Sequence, residues 1–138
     1  MKLILDTPLN TSGAAQADAT HAITLANDAD PRTLDLSGVD RVDLQFPKFT
    51  DGRAFSQAFL LRRRLGFAGA IRATGDVLVD QLQQMARTGF TEAVLRADQN
   101  LAHGEKLLGM QSGYVGFYQG DAVHTQPHFG AKTAQVAA

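Results

Sequence analysis

Between residues 40 and 108 the sequence switches three times from a strand period to a helical one, and that alternation constrains the fold more than any other feature. Val42, Leu44 and Phe46 lie two apart, with Asp43 and Gln45 between them. That is the period of a strand. Pro47 closes it, because proline has no N–H to give to a ladder. Over Ala54–Leu65 the spacing widens, and Phe55, Ala58, Phe59, Leu61 and Leu65 predict a helix with a broad apolar face. Arg62, Arg63 and Arg64 fall in its last turn, where cations suit the negative end of the helix dipole. Gly66 is placed to cap it. The pattern recurs with a strand at Ala70–Ala73 and a turn at Thr74-Gly75-Asp76, in which Thr74 or Asp76 can cap the next helix. That helix spans Val77–Thr88, has Leu78, Leu82 and Met85 on one face, and stops at Gly89. Glu92–Leu95 and Asn100–Leu108 repeat the pair, the latter weakened by Gly104. Ahead of these units, Ile23-Thr24-Leu25 suggests a short strand and Pro31 a helical turn.

Strands that alternate with helices through short connections imply an α/β fold of consecutive βα units. Such units have a parallel sheet and right-handed crossovers. The spacing leaves two arrangements open, half-barrel-like or open three-layer. At 138 residues the chain suits one domain, 1–138. A loose N-terminal segment at about 6–20 and a flexible tail at about 128–138 are expected at its ends. Half a barrel exposes edges and apolar surface, so that arrangement implies a homodimer or other homo-oligomer.

Composition excludes several kinds of chemistry. The absence of cysteine rules out disulfides, thiolate nucleophiles and Cys-ligated metal. A net charge of −1 gives no field to hold nucleic acid or an acidic membrane. The first residues carry too short an apolar run for a signal peptide, and no stretch reaches membrane-spanning length, so a cytoplasmic location is expected. There is no P-loop, no dinucleotide fingerprint and no nucleophile elbow around Ser56. No cofactor is implied.

In parallel α/β folds, ligands bind beyond the carboxyl ends of the strands, where the loops converge. Three segments are expected to meet there: Pro47–Arg53, Arg72–Asp76 and Arg96–Gln99. They predict a ligand-binding set of Lys48, Thr50, Asp51, Arg53, Arg72 and Asp76. Its cations, hydroxyls and helix N-termini suit a small anion. The plainer alternative is that the threonines and aspartates are caps and that Arg53 and Arg72 pair with the aspartates. Asp51 and Asp76 are the candidate catalytic acid or base, should the protein be an enzyme. Asp76 and Asp80 share a helix face, as solvated charges commonly do. No metal site is expected of them or of His21, His103, His124 and His128. Arg62, Arg63 and Arg64 are candidates for docking an acidic partner. Tyr114, Phe117 and Tyr118 form an aromatic cluster suited to packing, to a pocket or to an interface.

Three motifs in order carry a resemblance to a family. They are Phe46-Pro47-Lys48-Phe49-Thr50-Asp51-Gly52-Arg53-Ala54-Phe55-Ser56-Gln57-Ala58, Leu61–Gly69, and Arg72–Leu82 followed by Arg87-Thr88-Gly89-Phe90. Together they resemble a bacterial family known as domain of unknown function 934. The resemblance implies a link to assimilatory sulfite reduction, with sulfite reductase as a partner, and an oxidoreductase label. Without cysteine or a nucleotide fingerprint, this chain is poorly equipped to move electrons alone. It also has Ala54-Phe55 where the family pattern has glycine–tyrosine, which removes that hydroxyl. The resulting expectation is an accessory or small-anion-binding protein of sulfite reduction. A small enzyme and a structural docking subunit are the alternatives.

Overall fold

The computed structural model describes residues 1–7 and 21–112, with the side chains of 110–112 left out. Most of the N-terminal segment lies outside these residues. So do the tail, Tyr114, Phe117, Tyr118, His124 and His128. The described residues form five strands: β1 (Lys2–Leu5), β2 (Ala22–Leu25), β3 (Arg41–Phe46), β4 (Ala70–Gly75) and β5 (Glu92–Leu95). Three α-helices follow the last three of them: α1 (Arg53–Phe59), α2 (Leu82–Thr88) and α3 (Leu101–Ser112). The strands form one all-parallel sheet in the order β1-β5-β4-β3-β2. The protein is therefore an α/β fold of consecutive βα units.

From β2 to β5 each strand is added on the same side of the previous one. Right-handed crossovers then place every helix on the same face. Side-chain alternation agrees. Val42, Leu44, Phe46, Ile71, Ala73, Ala93 and Leu95 point to the helical face and are buried with Ala54, Ala58, Leu61, Leu82 and Met85. Phe46 meets Phe55 edge-on at 5.2 Å and Phe90 at 5.8 Å, joining β3, α1 and the loop before β5. The described residues therefore form two layers, a sheet and one row of helices. This favours the barrel-section arrangement over a sheet covered by helices on both sides.

The opposite face of the sheet is polar. One register row runs Thr24, Asp43, Arg72, Glu92 and Lys2 across all five strands. Neighbouring charges in it alternate in sign, and Arg72 reaches Glu92 at 2.6 Å while Arg41 reaches Asp43 at 2.7 Å. Opposite charges on adjacent strands stabilise the pairing and fix its register.

Two helices depart from their expected bounds. The helix predicted over Ala54–Leu65 becomes a π-turn at Leu60–Arg64, with the Leu65 N–H donating to the Leu60 carbonyl. The one predicted over Val77–Thr88 begins as a 3₁₀ turn at Val79–Gln81. Gly66 and Gly89 do adopt the positive φ of helix stops, 64° and 113°. Strand β1 was not foreseen. Lys2-Leu3-Ile4-Leu5 is too short and uniformly apolar to reveal a period.

Candidate functional site

The polar loops after β3 and β4 leave the same end of the sheet and are tied together. The Asp76 carboxylate accepts the Phe49 N–H at 2.7 Å, and the Gln81 amide donates to the Phe49 carbonyl at 2.6 Å. Phe49 is thus held at both backbone groups by side chains of the next βα unit. The loop after β5 joins the same network, since Arg96 donates to Asp76 at 2.8 Å and to Asp98 at 2.6 Å. Gly75 permits the approach. Its φ is +94°, and a Cβ there would lie 2.4 Å from the Phe46 carbonyl oxygen. The Asp76 N–H donates to that same oxygen. The strand ends, Gln45-Phe46-Pro47 and Thr74-Gly75-Asp76, line an open cleft of about 740 Å³.

Asp51 has a local task. It accepts the Arg53 N–H at 3.1 Å and the Arg53 guanidinium at 2.7 Å. The Arg53 side chain, and then its N–H, hold the Asp51 carboxyl down at about 2. Asp76 is also lowered, first by Arg96 and then by the Phe49 N–H. Arg96 is raised by Asp98 and Asp76. Both candidate acid–base residues are therefore held as carboxylates.

Of the six residues predicted to form the site, five share this edge. Lys48 and Thr50 are exposed, and Lys48 forms no ion pair among the described residues. Asp51, Arg53 and Asp76 are engaged as above. Arg72 is elsewhere: it is a mid-strand residue, 3% exposed, on the polar face of the sheet beside Glu92. Strand β4 extends to Gly75, so the turn begins later than the sequence suggests. Among the three docking candidates, Arg62 is also redirected. It donates to the carbonyls of Gly89 (3.0 Å), Phe67 (2.7 Å) and Gly69 (2.7 Å), whereas Arg63 and Arg64 are exposed. Burial lowers the Arg62 pKa. Neither Thr74 nor Asp76 caps α2, since Thr74 bonds back to Leu44 O and Asp76 crosses to Phe49.

Sequence reasoning passed over Phe49, Gln81, Asn27 and Gln57. Phe49 is 49% exposed, and the available signal was an apolar residue between Lys48 and Thr50 that fits neither neighbouring period. Gln57 Nε2 donates to the carbonyls of Ala26 and Ala29, and Asn27 Nδ2 to that of Gln45, fastening the loop after β2. No three His, Asp or Glu residues gather as a metal set among the described residues. No described helix is long and apolar enough to cross a membrane.

These features define a singly wound parallel α/β protein with a polar, cross-linked strand-end edge, the edge at which such folds bind ligands and partners. The chain belongs to the family described as bacterial protein of unknown function, DUF934, whose model matches residues 22–129. No curated protein and no solved structure matches it.

Proposed function

We propose that this protein is an accessory protein of assimilatory sulfite reduction that acts by binding through its strand-end edge. The link to sulfite reduction comes from the family resemblance, and a cytoplasmic location follows with it. The binding role rests on one observation: three successive loops are fastened to one another around Phe49, at the strand ends where parallel α/β folds bind ligands. Such preorganisation lowers the entropy lost on association.

The geometry favours a protein partner over a free anion. Arg53 and Arg96 are already paired to carboxylates, which offset the charge that would draw sulfite to them. It also disfavours the enzyme alternative, because the depressed pKa values of Asp51 and Asp76 make both weak bases at neutral pH. A second reading, a small polar ligand, is favoured by the cleft between Gln45 and Asp76.

The test has two arms. Binding of purified assimilatory sulfite reductase to the immobilised chain is expected. Calorimetry with sulfite, sulfate and phosphate is expected to give no heat. Saturable sulfite binding lost in Arg53→Ala, without reductase binding, would replace the partner reading by the anion reading.

A further inference from the structure

We propose that Phe49 is the anchor of a protein–protein contact whose counterpart is an apolar pocket with an arginine- or lysine-rich rim. The inference deepens the proposed function and rests on it. Among the described residues, no buried cluster includes the Phe49 ring. The ring is 49% exposed, and its neighbours Pro47, Lys48 and Thr50 are exposed too. Yet its backbone is fixed at both polar groups, by Asp76 at the N–H and Gln81 at the carbonyl. A large, half-exposed apolar ring on a hydrogen-bonded backbone is the composition of an interface hot spot. It offers contact area at little cost in freedom.

Charge indicates what the counterpart must be. Among the described residues of the segments leaving the strands, leaving aside the mutually paired Asp30 and Arg32, the carboxylates are Asp6, Asp28, Asp51, Asp76, Asp80 and Asp98. The cations are Lys48, Arg53 and Arg96. The described part of this edge therefore carries an excess of carboxylates, although the whole chain carries only −1. A surface that receives Phe49 meets this excess, and a basic rim complements it.

The experiment measures reductase binding to the full chain for the wild type, Phe49→Ala, Gln81→Ala and the remote surface variant Ser37→Ala, at low and high salt. Phe49→Ala is expected to weaken binding roughly thirty-fold, the loss typical of a hot-spot residue, with an unchanged melting curve because the ring is exposed. Gln81→Ala keeps the ring but frees its backbone, so a smaller loss is expected; Ser37→Ala should match the wild type. Wild-type binding should weaken with salt. If the wild type binds and Phe49→Ala binds equally well, the inference fails while the proposed function stands. If the wild type does not bind the reductase, the proposed function fails and this inference falls with it. Sedimentation supplies a further check. Self-association abolished by Phe49→Ala would make a second copy the occupant and overturn the basic-rimmed partner.

Discussion

Asp76 connects three loops through one carboxylate, and its protonation should be felt across the edge. Its pKa is lowered in the fold, first by Arg96 and then by the Phe49 N–H, from an ordinary value of 3.8. A carboxyl with a depressed folded pKa contributes stability that is complete above its unfolded pKa and is lost as pH falls through the folded one. Asp51, at about 2, acts in the same direction. The denaturation midpoint should therefore hold steady near neutrality and fall below about pH 4. In Asp76→Asn that acid-dependent fall should be shallower, and urea melts across pH 2–7 would measure both. Gly75 makes a separate prediction. An alanine at φ +94° would also press on the Phe46 carbonyl. Gly75→Ala should cost about 2 kcal/mol or more in urea denaturation.

The elements show why some residues could be read from sequence and others could not. Strands β3, β4 and β5 and the glycine stops at 66 and 89 were legible because period and φ requirement are local properties. The polar turns after β3 and β4 could be placed on one edge because parallel pairing dictates it. Arg62 and Arg72 could not be separated from their neighbours by type. What distinguishes Arg62 is that the π-turn carries it over the carbonyls of Phe67, Gly69 and Gly89. What distinguishes Arg72 is the register that sets Glu92 beside it. Such partners lie far off in sequence and leave no periodic trace. The arginine run accordingly divides. Arg62→Ala strands three carbonyls at a half-buried helix end and should destabilise the fold by about 1–3 kcal/mol. Arg64→Ala, on an exposed side chain, should stay within about 0.5 kcal/mol. Equal losses in chemical denaturation would refute the clamp.

At the scale of the whole molecule, the first strand meets the last helix. Strand β1 pairs with β5 at the edge of the sheet, so contacts between the start of the chain and α3 complete the helical face. Gly104 sits at that junction. A Cβ there would lie 2.9 Å from Leu82 Cδ1, 3.1 Å from Leu3 Cδ1 and 3.5 Å from Val79 Cγ1. In the sequence this glycine only weakens a helix; in the fold it lets α3 close onto β1 and α2 together. The nearest atoms are the ends of flexible leucines, so one methyl group can be accommodated by small rotations. Gly104→Ala should then be nearly neutral, the squeeze being offset by the roughly 1 kcal/mol that alanine gains over glycine within a helix. Gly104→Val adds two further carbons to the same gap and should cost about 1–3 kcal/mol. If Leu3 is one of the walls, Leu3→Ala opens the space from the other side. The double variant should then recover part of the loss, with a coupling of about 0.5–3 kcal/mol in a double-mutant cycle read by urea denaturation. Strict additivity would mean that β1 and α3 do not share this contact, and that the N-terminal strand closes the fold by its backbone ladder alone.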